Sequence, residues 1–235
     1  MKAHGTTATT ATAAATVAAP DTEQAPSGRA TNEVYERLRS AIVNGELRPN
    51  MPLIEADLSR ALAVSRTPIR ESLQRLSAEG VIAPRKRGFA VREFSAEEIQ
   101  ETYEVRAALE SYGARLAAER ASDAEIAAIA AIQTEREAEE QPTHQFRVET
   151  NRRFHAAIMA AARNKRLADC VFQFGQSYFN QRIARLMSEQ DYQRNQADHR
   201  RIVAALKARD AGAAEAAMRT HIMHTFLTFQ RVGSL

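Results

Sequence analysis

One stretch of this chain, residues 58–76, has the spacing of two short helices joined by a tight turn. Leu58 and Leu62 share one face of the first helix. Leu73 and Leu76 share one face of the second. The second helix opens with four cationic or hydroxyl-bearing residues, which are Ser65, Arg66, Thr67 and Arg70. Such groups at the start of a helix can contact phosphates and base edges in the major groove, so the stretch predicts a helix-turn-helix that binds double-stranded DNA.

The flanking residues complete a small domain around this motif. A helix over about 31–44, capped by Thr31, precedes it. Asn50 lies in the turn that follows that helix, and asparagine is one of the few non-glycine residues that tolerate a left-handed backbone. Residues 81–92 have the pattern of a β-hairpin with a basic tip. Three helices and a basic hairpin predict a winged helix-turn-helix domain over residues 29–94.

The remainder of the chain has helical periodicity and no strand pattern. Ser95 with Glu98, and Ser122 with Glu125, fit the capping box that begins a helix. The apolar spacing predicts helices over about 96–120, 123–138, 143–163, 165–188, 191–208 and 211–231. The expected fold class is therefore mainly α, with the winged helix-turn-helix followed by an all-helical bundle over residues 95–235.

The two predicted domains differ in charge. Residues 29–95 contain 12 Lys and Arg against 8 Asp and Glu, a net charge of +4, whereas residues 96–235 contain 19 of each. This asymmetry is expected when only the first domain meets a polyanion. A nonspecific, nucleoid-type DNA binder is an alternative, but its positive charge should be greater and more widely spread.

Other features of the chain exclude whole classes of protein. Cys170 is the single cysteine, so no internal disulfide framework is expected, and we predict that it is a small buried apolar residue. No apolar run approaches the roughly 20 residues of a membrane span. Residues 1–28 are rich in Ala and Thr and lack the pattern of a secretory signal, so we expect a disordered tail or a misassigned start codon, and a cytoplasmic protein.

The first predicted domain resembles a known family. Between Val34 and Ser95 the chain looks like the N-terminal domain of GntR-type bacterial transcription regulators. The matching residues are Leu58, Leu62, Val64-Ser-Arg-Thr-Pro-Ile-Arg-Glu71, Leu73, Arg75-Leu76, Glu79-Gly80 and Gly88-Phe-Ala-Val91. From Ala96 onward the chain resembles the all-helical FCD effector domain of the fatty-acid-regulator subgroup. Ala63 replaces the glycine that is usual in the helix-helix turn, and Ser72 stands where alanine is common.

The resemblance implies how the protein meets DNA. The family reads its operator through the positions of Ser65, Arg66, Thr67 and Arg70, with the tip of the wing at Arg87 and Gly88. Some relatives use a further arginine where this chain has Ala56, so that contact is absent here. The resemblance also implies a homodimer on an inverted repeat, which represses transcription and is released by a small organic acid.

Several side chains of the second domain have the chemistry of metal ligands. Asn151 and His155 are spaced i, i+4 and share one helix face. His199 and His221 fall on two later predicted helices. Three imidazoles and one oxygen ligand would suit Zn²⁺, Ni²⁺ or a similar divalent ion, although single histidines are more often hydrogen-bonded than metal-bound. The resemblance favours the metal site, because the effector domain commonly has Asp-x-x-x-His and two later histidines here; Asn151 in place of Asp should weaken the affinity.

Three further residues are candidates for an effector pocket. Arg106 matches an arginine that faces the same cavity in relatives, and its partner is either Glu110, one turn along the helix, or the carboxylate of an effector. Tyr103 and Tyr178 could line the pocket, with core packing as the alternative for each. A metal-dependent hydrolase that uses the histidines is the competing function, but no general base is evident beside them.

Overall fold

The computed structural model describes residues 27–43, 45–173 and 187–233 of the 235-residue chain. These residues form two compact units, which divide between Phe94 and Ser95. Helices dominate both units, so the predicted mainly α fold is confirmed. None of the helices within the described ranges is long and apolar enough to cross a membrane.

The first unit contains three helices with a common apolar core. They are α1 (Ser27–Val43), α2 (Glu55–Ala61) and α3 (Arg66–Ala78). The core side chains are at most 1% exposed and include Leu38, Leu58, Ile69, Leu73 and Leu76. Helix α1 begins four residues before the predicted start, because Thr31 does not cap it: the Thr31 hydroxyl instead donates a hydrogen bond to Glu71 of α3 at 2.7 Å.

A small antiparallel sheet completes this unit. Its strands are β1 (Pro52–Leu53), β2 (Ile82–Pro84) and β3 (Phe89–Val91), in the order β1-β3-β2. The predicted hairpin is β2 and β3, but the sequence interpretation missed β1. Pro52 is acceptable there because β1 is an edge strand, where a residue without an N–H group is tolerated.

Two left-handed residues shape the turns of the first unit. Asn50 has φ 64°, as predicted for the turn before β1. Ala63, in the turn between α2 and α3, has φ 53°. Because a Cβ disfavours this region by about 1–2 kcal/mol, glycine is the usual residue at such a position, and Ala63 occupies it at a cost in strain.

The second unit is built from six helices within the described ranges. They are α4 (Ala96–Arg120), α5 (Asp123–Ala138), α6 (His144–Ala161), α7 (Lys165–Gln173), α8 (Glu189–Lys207) and α9 (Ala211–Gly233). Both predicted capping boxes are present, and Ser188 with Asp191 forms a third at the start of α8. The predicted helix over 165–188 is described only as far as Gln173, since residues 174–186 lie outside the described part of the chain.

The core of the second unit lies where α4, α6, α8 and α9 meet. Helix α9 packs along α4 and α8, and α6 packs on α4. The fully buried apolar side chains include Phe154, Ile158, Ile202, Leu206, Met218 and Ile222. Cys170 does not join this core: it is exposed on α7, so the expectation of a buried cysteine was wrong. Apolar character alone did not show which face of this short helix packs.

Candidate functional site

The start of α3 presents an exposed polar surface in the first unit. The four predicted DNA-contacting residues, Ser65, Arg66, Thr67 and Arg70, are all exposed, whereas Pro68 and Ile69 between them are buried. Ser65 occupies the N-cap position, and its side chain makes no capping hydrogen bond. The helix thus packs through its apolar face and leaves its cationic N-terminal turn open, which is the arrangement that a helix entering the major groove requires.

One acidic residue orients this surface, and the sequence interpretation did not find it. Glu55, at the start of α2, accepts hydrogen bonds from Arg70 Nε at 3.1 Å and from Arg70 Nη2 at 3.0 Å. The hydrogen bond from Arg70 lowers the pKa of Glu55, so the carboxylate stays charged. This two-point contact holds the Arg70 guanidinium at a defined angle, although residues 55 and 70 lie on different helices.

The wing lies at the turn between β2 and β3. Arg87 is exposed at its tip. Gly88 follows with φ 74°, and a Cβ added there would lie 2.5 Å from the carbonyl oxygen of Leu53 in β1. Glycine is therefore favoured at this position for two reasons: the backbone is left-handed, and the edge strand approaches closely.

We expect Gly88→Ala to destabilise the first unit by about 1–3 kcal/mol more than Gly45→Ala does. Gly45 is the matched control, since its φ is 72° but nothing lies within 4 Å of a Cβ there. Both variants share the left-handed cost of about 1–2 kcal/mol, and only Gly88→Ala adds the collision with Leu53. Urea unfolding of the full chain, followed by circular dichroism, measures the difference. An equal loss in both variants would show that the wing tolerates the extra methyl group.

Three histidines meet inside the second unit. His155 of α6, His199 of α8 and His221 of α9 are each at most 2% exposed, and we call them the histidine cluster. Their candidate ligand atoms all lie within 4.8 Å of one another. The Nε2 atoms of His155 and His221 are 3.1 Å apart. Phe154 stacks on the His199 ring at 4.0 Å between centroids and fixes its plane.

Neighbouring oxygens set the tautomers of two of these rings. His155 Nδ1 lies 2.7 Å from Glu110 Oε2, and His199 Nδ1 lies 3.2 Å from Gln133 Oε1. Both oxygens are acceptors, so each Nδ1 carries the proton and each Nε2 presents a lone pair, that of His155 towards His221 Nε2. His199 Nε2 has no hydrogen-bond partner within the described residues, and neither has His221 Nδ1. The cluster therefore offers buried ring nitrogens whose bonding capacity is unused.

The charge state of the histidine cluster suits cation binding. Burial holds the pKa values of His199 and His221 well below 6.5, and the adjacent imidazoles lower them further. Both rings are thus neutral at pH 7, which is the form that coordinates a metal ion. The arrangement can hold a divalent cation through three imidazole nitrogens.

Glu110 of α4 links the histidine cluster to Arg106. Its second carboxylate oxygen accepts a hydrogen bond from Arg106 Nε at 2.9 Å, and both side chains are at most 2% exposed. Burial alone would raise the pKa of Glu110, but Arg106 and His155 outweigh it and lower the pKa to about 2. Arg106 therefore has the partner that lies one turn along its own helix.

A partly open cavity lies beside the cluster. The cationic and polar residues that line it include Arg106, Arg136, Arg147, Asn151, His155 and His221. Asn151 lies one turn before His155 on α6, and its side chain is partly exposed. The cavity thus brings together two members of the cluster, the predicted oxygen ligand and three arginines.

Of the two tyrosines predicted for the pocket, Tyr103 lies apart from this cavity. Tyr103 is fully buried against the rings of Phe226 and Phe229 and does not line the cavity, and burial raises its pKa to about 12. Tyr178 falls outside the described residues. His224, one turn after His221, is 2.8 Å from Asp198 and belongs to a separate contact.

Sequence reasoning missed Gln133 and Arg136 of α5. Both are at most 3% exposed. They continue the inward stripe of Ile126 and Ile129 at helical spacing, so a polar residue on an apolar stripe was the available signal. That pattern predicts that the two side chains are buried, but it does not predict which residues they contact.

Two family models match most of the chain. The model described as "Bacterial regulatory proteins, gntR family" matches residues 30–91, and the model described as "FCD domain" matches residues 101–224. The first covers the three helices and the sheet of the first unit. The second covers the histidine cluster and the residues around it.

Individual proteins show the same similarity. The Nta operon transcriptional regulator of Aminobacter aminovorans is 30% identical over 78% of this chain and 87% of its own length. The HTH-type transcriptional repressor RspR of Escherichia coli is 26% identical over 86% of this chain and 90% of its own. The solved structure of E. coli McbR/YncC has a TM-score of 0.71 at 21% identity, over 86% of this chain and 98% of that one, a likeness of fold.

Proposed function

This chain belongs to the gntR family of bacterial regulatory proteins, carries an FCD domain and is a DNA-binding transcription regulator; on that premise we propose that it is a homodimeric, cytoplasmic repressor that a small organic acid releases from its operator. The observation that carries the DNA-binding part is the exposed N-terminal turn of α3, with Arg66 and Arg70 on a helix whose other face is buried. The hydrolase alternative has no support in these matches.

The operator is an inverted repeat in this proposal. A single helix in the major groove reads only a few base pairs, so two copies of the first unit are needed for a specific site. The second unit pairs the two chains, as the symmetry of such an operator demands. Arg87 of each wing adds a phosphate or minor-groove contact beside the recognition helix. The name of the E. coli relative RspR, a repressor, supports repression rather than activation.

The second unit holds a divalent cation, Zn²⁺ or Ni²⁺, in this proposal. His155, His199 and His221 would hold it, and the oxygen of Asn151 is the fourth candidate ligand. The residues present fit such an ion, since the His199 and His221 rings are neutral and each has a buried ring nitrogen with no other partner in the described chain. When bound, the ion would add positive charge beside the cavity, which favours an anionic effector. An effector changes DNA affinity only through its unequal affinity for the two arrangements of the dimer.

Loss of one guanidinium at α3 tests the DNA-binding part. We expect Arg66→Ala to weaken binding to a selected duplex by about 1–3 kcal/mol, roughly 5- to 150-fold in Kd, if a bidentate base contact is lost. The duplex is the tightest binder selected from a random library, and a scrambled version measures nonspecific affinity in competitor DNA.

Arg163→Ala is the matched control for charge. It also removes one exposed arginine, but from the second unit, where Arg163 pairs with Glu125 at 3.1 Å. We expect it to leave the selected duplex bound as before. Equal affinity of the wild type for the selected and scrambled duplexes would support the nonspecific alternative instead.

A further inference from the structure

Arg136 is a buried cation that has no anionic partner among the described residues. Its side chain is 2% exposed. It donates only to neutral oxygens, which are Asn195 Oδ1 at 3.0 Å, Thr150 Oγ1 at 3.2 Å, Gln196 Oε1 at 3.3 Å and the carbonyl of Arg147 at 3.4 Å. No carboxylate of the described residues accepts a hydrogen bond from it. Buried charges are normally paired, so this one calls for a ligand.

A second guanidinium lies close to the first. Arg136 and Arg147 both lie over the ring of Tyr192, at 5.6 Å and 4.1 Å from its centroid. Their charges repel: after burial, the proximity of Arg147 is a further cause that lowers the pKa of Arg136, to about 10, which still leaves it charged at pH 7. We call these two residues the arginine pair.

The arginine pair has unused donor capacity beside the cavity. Arg147 Nη2 contacts Glu189, an exposed residue, at 2.9 Å. Arg147 Nε, however, is buried and has no hydrogen-bond partner within the described part of the chain. Both arginines line the cavity, together with Asn195. A fixed positive charge and a free buried donor at one wall of a cavity are the elements of an anion site.

Arg106 lines the same cavity, but unlike Arg136 it forms an ion pair with a buried carboxylate. Its guanidinium is neutralised by Glu110 at 2.9 Å, and the same carboxylate binds His155. An anion that approached Arg106 would therefore also meet the charge of Glu110. The arginine pair presents no such charge within the cavity.

We propose that the arginine pair, rather than Arg106, binds the anionic head of the effector, a carboxylate or phosphate group on a small molecule. The inference rests on the proposed function, because it assumes that an effector enters this cavity. Asn151, His155 and His221 line the same cavity, so the rest of the ligand extends from the arginine pair towards the histidine cluster. The ligand class is thus a small organic anion with a second polar group at the opposite end.

Probe anions can test this assignment before the effector is known. The full-length protein is titrated with malonate or inorganic phosphate at constant ionic strength, with chloride as the reference, and its Tm is followed. Binding to the native state raises Tm with the logarithm of the anion concentration. We expect one of the two anions to raise the Tm of the wild type, and the apparent affinity to fall at least tenfold in Arg136→Gln. The comparison of the malonate and phosphate titrations shows whether the site prefers a carboxylate or a phosphate group.

The matched control is Arg115→Gln, which removes an exposed arginine of α4 that pairs with Glu119 and Glu215. It should respond to the anions as the wild type does. The titration is repeated in the chelator EDTA, where the effect should persist if the arginine pair carries the head. Disappearance of the effect in EDTA, an equal response of Arg136→Gln, or no response of the wild type to either anion would overturn the assignment.

Operator binding separates this inference from the proposed function. Without added anion, specific binding of the selected duplex by Arg136→Gln would show that the variant is folded. If the anion stabilises the wild type and Arg136→Gln equally while both still bind the duplex specifically, the assignment to the arginine pair is wrong. The proposed function as a DNA-binding regulator is then unaffected. If the wild type itself does not prefer the selected duplex, the proposed function fails.

Discussion

Glu110→Gln is expected to destabilise the second unit by about 3–5 kcal/mol, because it leaves a buried charge without its partner. Arg106 and Glu110 are at most 2% exposed and lie 2.9 Å apart. The amide of glutamine carries no charge, so the Arg106 guanidinium loses its ion pair with residue 110 while it remains out of water. His155 loses the ionised oxygen that accepts its Nδ1 proton. Thermal and urea unfolding of the purified variant measure the loss.

Helix α4 contains its own control for this prediction. Arg115 and Glu119 have the same i, i+4 spacing at 3.3 Å, but their side chains are 46% and 42% exposed. Exposed pairs contribute about 0–1 kcal/mol, so Glu119→Gln should change the stability little. If the two variants lost similar stability, burial would not be what makes the Arg106–Glu110 pair important.

The His155→Ala/His199→Ala double variant is expected to lose its bound metal almost completely. It removes two of the three imidazoles whose ligand atoms lie within 4.8 Å, and a divalent ion is not retained by one histidine and an uncharged amide. Elemental analysis after dialysis should find about one ion per chain in the wild type and almost none in the variant. EDTA should lower the Tm of the wild type and leave that of the variant unchanged.

His224→Ala is the matched control for the metal measurement. His224 lies one turn after His221 on α9 but contacts Asp198 at 2.8 Å, outside the histidine cluster. It should keep the metal content of the wild type. An unchanged metal content in the double variant would end the hypothesis of a metal site at the cluster, and operator binding by both variants would show that they remain folded.

Local signals predicted most of the elements correctly. The spacing of Leu58, Leu73 and Leu76 gave the helix-turn-helix, and these three side chains are at most 1% exposed. Both predicted capping boxes begin helices where expected, and Asn50 is left-handed. These features depend on contacts within a few residues, so they can be read from the order of the chain. The missed strand β1 has two residues and exists only because β3 lies beside it.

All three members of the histidine cluster were predicted as metal ligands, but helical spacing alone did not bring them together. Asn151 and His155 share a helix face by their spacing, but His199 and His221 were joined to them through the resemblance to a family. Glu110 was found as a neighbour of Arg106, and its contact with His155, 45 residues away, was not foreseen.

The sequence by itself determined the order of the helices, the wing and the polar start of α3, because periodicity and capping act over one or two turns. Only the tertiary structure decided which buried charged side chains form ion pairs and which are surrounded by neutral groups. It paired Arg106 with Glu110 and surrounded Arg136 with neutral oxygens, including that of Asn195, 59 residues away. The physical reason is that electrostatic partnership depends on the packing of helices from distant parts of the chain, and helical spacing defines a face without defining what covers it.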